Sequence, residues 1–270
     1  CGKGTLYDKL VESGVKTFLI CSPPKSKSKL ALLCYLIFVN LQMVFRVFAV
    51  RADIIHANNT KAFAGVLFAK LLWGKKVLWH VRDIEHSKVV NRVCGKLAWR
   101  IVAVSEFIKK HLVEMGVNGN RICVVYNGSE LIAGIESNKI CVDRRFFVFA
   151  NVGQFVGWKK QLVFIDACEE VLRQGYKALF RIVGDDVFGR DREYKQEVLN
   201  RVKRSRFASE IEFIGWQNKM GNVWSEIDCL VHTASEEPFG RVVTEAMMAG
   251  VVVIATNKGG PSEIIANGKN

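Results

Sequence analysis

Residues 235–250, SEEPFGRVVTEAMMAG, bring two carboxylates, a glycine and a helix start close together. The apolar run IDCLVH at 227–232 precedes them and reads as a strand. Glu236-Glu237-Pro238-Phe239-Gly240 reads as its exit loop, and a helix follows. Gly240 has no Cβ, so a ligand can approach the backbone there. The helix N-terminus behind it is an anion site, through its free N–H groups and the positive end of its dipole. Glu237 precedes that terminus and Glu245 lies about one and a half turns inside it, at ~3.6 residues per turn. One carboxylate can then face a sugar hydroxyl while the other accepts hydrogen bonds from a ribose. The same two glutamates also suit a helix that merely carries acidic residues near its positive end.

These groups need a frame, and the rest of the chain supplies one. Apolar β-rich runs fall at 15–21, 53–57, 76–80, 101–104 and 122–126, then at 146–153, 178–184, 211–215, 227–232 and 251–255. Helical patterns lie between them. Phe164, Ala167, Cys168, Val171 and Leu172 fall at helical spacing opposite Asp166, Glu169, Glu170 and Arg173, and Gly175 stops that helix. Continuous apolar strands alternating with helices predict parallel sheets covered on both faces. A chain of 270 residues is long enough for two such domains. The polar seam at 130–143, which contains Gly134, separates an N-terminal Rossmann-like domain, 1–135, from a C-terminal one, 136–270. In such sheets ligands bind at the carboxyl ends of the strands, and every chemically suggestive residue here follows a strand.

Composition excludes other classes. Half the residues are hydrophobic and 24% charged, so the chain is neither disordered nor a disulfide scaffold. The net charge of +13 is uneven: residues 1–140 hold 21 Lys and Arg against 9 Asp and Glu, or +12, and the remainder +1. That points to an acidic partner for the first half or to a well-solvated basic face. No nucleic-acid motif is present, so an anionic membrane surface is favoured over nucleic acid. The eight cysteines form no C-x-x-C pair, and most, as in ICVV and DCLV, read as reduced core residues of a cytosolic protein. Residues 30–45, LALLCYLIFVNLQMVF, are apolar except for Asn40 and Gln42, with Lys25, Lys27 and Lys29 before them and Arg46 and Arg51 after. They are short of the ~20 residues of a membrane span, and suit either a packed helix or one lying in a membrane interface. No G-x-G-x-x-G joins a strand to a helix, and the Gly2/Gly4 pair lacks a preceding strand, which argues against a dehydrogenase.

The run EEPFGRVVTEAMMAGVVVIATNKGGPSEII resembles the donor-binding signature of the family 4 retaining glycosyltransferases, whose hallmark is Glu, seven residues, Glu, as at Glu237 and Glu245. ANVGQFVGWKKQLVFIDA is similar to the strand, phosphate loop and helix that open the family's second domain. RADIIHANNTKAFAG, VLWHVRDI, IVAVSEFIKKHL and ICVVYNGSE resemble strand-end segments of its first. The resemblance implies an α/β fold of GT-B architecture: two Rossmann-like parallel-sheet domains facing a cleft. Both would be incomplete here, the first without its opening strand and loop and the second without its C-terminal end. Such a truncated chain is expected to be poorly stable alone.

The resemblance also implies roles. Glu237 matches the glutamate at the transferred sugar, Phe239 and Gly240 match backbone that bonds sugar hydroxyls, and Val243 and Thr244 lie where the helix start meets the diphosphate. Glu245 matches the ribose glutamate. Lys159 matches the lysine that neutralises the diphosphate, with Gly153 in the phosphate loop. A fixed cation there stabilises the charge gathering on the leaving group. His80 matches a histidine facing the reacting sugar. Asn58 and Asn59 stand on the acceptor side, and His56 reads as structural. Ser105-Glu106 and Asn127-Gly128 read as caps and turns, and Arg82-Asp83 as site residues or a local ion pair. Gln154 stands where the family often has an arginine, a loss that Lys160 or Arg241 could offset. Asp185-Asp186 are not a metal-binding D-x-D, and the family generally uses no metal or other cofactor.

The implied reaction is transfer of a hexose from a nucleotide-diphosphate sugar to a glycan or lipid-linked acceptor, with retention, in cell-envelope polysaccharide or lipopolysaccharide synthesis at the cytoplasmic face of a membrane. The acceptor hydroxyl would attack on the face the diphosphate leaves, through an oxocarbenium-like state, without an enzymic nucleophile. The alternatives are a non-catalytic or weakly active nucleotide-sugar-binding protein and a nucleotide-sugar epimerase of the same fold.

Overall fold

The computed structural model describes residues 5–20, 28–129, 146–187 and 189–269. The predicted boundary between 135 and 136, the seam at 130–143, and Cys1, Gly2, Gly4, Cys21, Lys25, Lys27 and Cys141 lie outside them. The chain divides into two units, Cys1–Val104 with Ile108–Val125, and Ser105–Phe107 with Tyr126–Asn270.

In the first unit, helices α1 (Thr5–Glu12) and α2 (Lys29–Ala49) precede strand β1 (Ile54–Ala57). Then come α3 (Thr60–Gly65), α4 (Leu67–Trp73), β2 (Lys76–Val81), α5 (Lys88–Leu97), β3 (Arg100–Ala103), α6 (Glu106–Glu114), which belongs to this unit from Ile108 on, and β4 (Ile122–Val124). The strands pair in parallel in the order β1-β2-β3-β4. Alternate residues of β2 (Val77, Trp79 and Val81) are buried, and with Phe63, Ile101, Ile108 and Leu112 they form the core of the unit. The predicted strand at 15–21 does not form over its described part, residues 15–20. A strand needs a neighbour for its N–H and C=O groups, whereas Val15, Phe18 and Leu19 are exposed and the Phe18 ring lies 4.4 Å from the Arg46 guanidinium.

Helix α2 is longer than its apolar run. Leu30–Ala49 is long and apolar enough to cross a membrane, and less than a quarter of it is buried. The buried part is a stripe, Val39, Asn40, Val44 and Val47, against α3 and α4. Asn40 holds the stripe in place: its amide donates to Leu36 O and Ala64 O at 2.9 and 2.8 Å, and its oxygen accepts from Phe68 N at 2.9 Å. The opposite face leaves Leu30, Leu33, Ile37, Leu41, Phe45 and Phe48 exposed.

The second unit contains β5 (Phe147–Val152), α7 (Gln161–Arg173), β6 (Ala178–Val183), α8 (Arg192–Lys203), β7 (Ile211–Gly215), α9 (Met220–Ser225), β8 (Cys229–His232), α10 (Arg241–Met248), β9 (Val252–Ala255) and α11 (Pro261–Ile264). Its sheet is parallel, in the order β7-β6-β5-β8-β9. One face packs Phe180 and Ile182 on Phe164, Ile165 and Cys168 of α7 and on Val198 and Val202 of α8. The other packs Val148, Ala150 and Leu230 on Val223 and Trp224 of α9 and on Val243 and Ala246 of α10. Each fully buried large side chain contributes ~1.5–3 kcal/mol. Cys94, Cys168 and Cys229 are core residues as expected, and burial raises their pKa, for Cys94 and Cys229 to about 11. Cys34 and Cys123 are exposed instead, because one lies on the open face of α2 and the other faces outward from the edge strand β4.

Candidate functional site

The strand order of the second sheet places its switch point between β5 and β8, since the chain runs from β5 outward to β6 and β7 and returns to the other side for β8 and β9. The loops leaving β5 and β8 therefore flank one position at their carboxyl ends. The β5 loop is Gly153 to Val156, followed by the 3-10 turn Gly157–Lys159. Phe155 anchors it in the core, and Gly153 N donates to Val183 O at 2.9 Å. The β8 loop is stitched to it. Thr233 Oγ1 donates to Lys159 O at 2.9 Å, and Ser235 N to Trp158 O at 2.9 Å.

At this junction Lys159 Nζ lies 2.5 Å from Glu237 Oε2, and the same oxygen lies 3.3 Å from His232 Nε2. All three groups are nearly buried, with His232 at 3% exposure and Glu237 at 9%. Burial alone pushes the Glu237 carboxyl upward. The hydrogen bond with His232 and the Lys159 charge outweigh it and hold the carboxyl below the usual range. The site thus keeps an ionised carboxylate beside a cation in a largely dry setting.

The segment GGPSEII braces this loop. A Cβ on Gly260 would stand 2.3 Å from Phe239 O, and one on Gly259 2.4 Å from Glu237 O. Only glycines let this backbone lie so close, and Gly260 N donates to Glu237 O at 2.8 Å. Phe239 is buried, with its ring centroid 6.0 Å from that of Tyr126. The Ser105 hydroxyl donates to Pro238 O at 2.6 Å. Gly240, at φ 101°, opens α10. The amides of Val243 and Thr244 turn back onto Gly240 O at 2.9 and 3.3 Å. Val243 is wholly buried and the Thr244 hydroxyl meets Ser129 Oγ at 2.7 Å. The amides of Arg241 and Val242, two positions earlier than Val243 and Thr244, are those without a partner among the described residues. Glu245 lies within α10, its Oε1 3.2 Å from the Arg241 guanidinium.

Gln154 contributes its carbonyl to Gln161 Nε2 at 2.9 Å, and Lys160 begins α7 in the left-handed region, exposed. Asp185 pairs with Lys195, while Asp186 accepts from the amides of Arg190 and Asp191, so both brace the approach to α8. Among the described residues no cluster of three or more His, Cys, Asp or Glu is placed to hold a metal ion.

In the first unit, His80 sits near the end of β2, with Nδ1 3.1 Å from His56 Nε2. Burial, then His56 and Arg82, lower its pKa. Asn59 caps α3 by accepting from Ala62 N at 2.7 Å, and Asn58 beside it is exposed. Arg82 and Asp83 form no ion pair with each other among the described residues. Sequence reasoning missed His232. It stands at the end of β8, five positions before Glu237, and that separation follows neither helical nor strand periodicity.

Comparison with known proteins gives this arrangement a context. Residues 135–270 match the family model for glycosyl transferases group 1, and residues 6–131 that for glycosyltransferase family 4. An uncharacterized glycosyltransferase of Methanocaldococcus jannaschii is 29% identical over 81% of this chain and 60% of its own length. The O-antigen biosynthesis glycosyltransferase WclY of Escherichia coli is 23% identical over 77% of the chain and 62% of its own. The chain spans about three fifths of the length of these relatives. Among solved structures, Anabaena HepE in complex with UDP and glucose superposes with a TM-score of 0.78 at 23% identity, over 99% of this chain and 74% of HepE. The two parallel-sheet units are those of a GT-B glycosyltransferase fold.

Proposed function

Because this chain belongs to the glycosyl transferases of group 1, we propose that it moves a hexose from a nucleotide-diphosphate sugar to a glycan or lipid-linked acceptor, with retention of configuration. The observation that carries this reading is the buried Lys159–Glu237–His232 cluster at the switch point, beside the start of α10.

In this reading the diphosphate lies against Lys159 and the unpartnered amides of Arg241 and Val242, at the positive end of α10. As the glycosidic bond breaks, charge gathers on the diphosphate, and these donors already face it, with little reorganisation needed. Glu237 remains ionised, supported by His232, and stabilises the positive character growing on the sugar. Glu245 accepts hydrogen bonds from the ribose, and backbone at Phe239 and Gly240 orients sugar hydroxyls. Gly153 lets the phosphate come close to the β5 loop, and Arg241 beside Glu245 supplies a cation near the nucleotide, where Gln154 cannot. His80 meets the sugar from its own strand end. No metal is assigned a part.

UDP is the first nucleotide to test, because HepE was solved with it. An envelope-polysaccharide acceptor is favoured by the name of the WclY relative. The open apolar face of α2 and the basic first half of the chain support peripheral contact with an anionic membrane. The direct test is incubation with UDP-, GDP- and ADP-hexoses while following release of the nucleoside diphosphate. Release with one donor, abolished by Glu237→Gln, supports the reading. Nucleotide binding with no release would identify a binding protein instead.

A further inference from the structure

We propose that His56 is a positioning residue for His80: it occupies Nδ1 of that ring and leaves Nε2 as the one nitrogen with which His80 meets a sugar hydroxyl. This rests on the reading of His80 as a sugar-contacting group.

The strands put the two rings together. β1 and β2 are parallel neighbours, with His56 opposite Leu78, so His80 is the next residue along the same face of the sheet. Their rings stack with centroids 5.3 Å apart and planes inclined by 16°, and His56 Nε2 lies 3.1 Å from His80 Nδ1. A neutral imidazole has one donor and one acceptor nitrogen, so this hydrogen bond ties the tautomer of His80 to that of His56, and the role taken by Nδ1 leaves Nε2 the opposite one. His80 Nε2 is buried and has no partner among the described residues. Buried polar atoms are mostly paired with protein or with water, so this open nitrogen beside a held ring is available to a group that arrives with the ligand. His56 is itself exposed and donates to or accepts from nothing else among the described residues. Its one visible task is to hold His80.

The test uses the chain labelled with 15N at its histidines, with His56→Phe, which keeps a ring but no nitrogen, and His56→Gln, whose amide can still reach Nδ1. The ring 15N shifts should show His80 as a single neutral tautomer in the wild type, a mixture of the two in His56→Phe, and a single tautomer again in His56→Gln. A wild-type ring already averaging both tautomers, or a ring unchanged by His56→Phe, would overturn the proposal. With UDP-glucose as the probe, His56→Phe should lower turnover about tenfold to a hundredfold with the donor KM little changed. His56→Phe added to His80→Phe should have no further effect. Loss in His80→Phe but not in His56→Phe would refute the positioning role and leave the reading of His80 intact. No loss in His80→Phe would refute that reading itself. Where His56→Phe does not fold, the His56→Gln spectrum alone decides, since scrambled tautomers there contradict the proposal.

Discussion

Lys159 and Glu237 neutralise each other within 2.5 Å, yet the proposed reaction needs each for a different charge. Removing one member of a buried pair leaves the other uncompensated, which typically costs ~3–5 kcal/mol. Glu237→Gln avoids much of this by keeping shape and hydrogen bonding. We expect it to lower turnover by ~10²–10³, the usual effect of removing one electrostatic stabiliser, with nucleotide affinity nearly unchanged in calorimetry. A loss of affinity as large as the loss of turnover would move Glu237 to the nucleotide. The carboxyl also makes stability depend on pH. Its pKa is lower folded than unfolded, so its contribution is present above the ordinary carboxylate value and fades as pH falls below it. In urea titrations the stability gap between wild type and Glu237→Gln should therefore be widest near neutrality and narrow toward pH 4. A gap that widens with acid would contradict the ionised assignment. The spacing of Glu237 and Glu245 and the family-like motif around Lys159 made these three candidates readable in the sequence, and the fold brings Lys159 and Glu237 together. His232 and the His56–His80 pair were not readable there, because those partners meet across a loop or between strands, where no short sequence period reports the contact.

Loops and helices carry constraints of their own. Gly259 and Gly260 let the last loop lie against the backbone of Glu237 and Phe239. Gly260→Ala should destabilise the second unit by ~1–3 kcal/mol through overpacking and displace the site, seen as a lower melting temperature together with weakened nucleotide binding. Unchanged melting would mean that the loop yields freely. On α2, Asn40 ties one face down and the other is left open, with Phe45 at 73% exposure. Vesicles containing phosphatidylglycerol should float the protein, phosphatidylcholine vesicles should do so less, and added salt should release it. Phe45→Asp should reduce flotation, and equal flotation of wild type and variant would exclude this face. Nine of the ten apolar runs became strands because each has a parallel neighbour. The run at 15–21 has the same composition, but among the described residues no strand lies beside it, and composition alone does not report pairing. Asn40 looked like an interruption of an apolar helix, while its three hydrogen bonds make it the attachment point.

Each unit carries its own core, around Trp79 and Ile101 in the first and around Phe164, Phe180 and Trp224 in the second. Ligand that binds one unit stabilises that unit by mass action, by ~2.7 kcal/mol at a hundredfold excess over Kd. Calorimetric melting should then show a nucleotide raising the transition of the second unit by several degrees, at ~2–4 °C per kcal/mol for a unit of this size, and leaving that of the first in place. A shift in the first unit alone would put the nucleotide on the wrong sheet. The alternation of strands and helices made the two-sheet plan visible from sequence. The placing of β5 beside β8, which creates the switch point, arises from pairing that only the folded chain displays. The central claim is that this switch point holds a nucleoside diphosphate with Glu245 on its ribose. The most direct test is titration calorimetry with UDP, GDP and ADP, using wild type and Glu245→Ala. One nucleotide should bind, and Glu245→Ala should lose that binding. Binding that survives the substitution, or none by a cooperatively melting wild type, would contradict the claim.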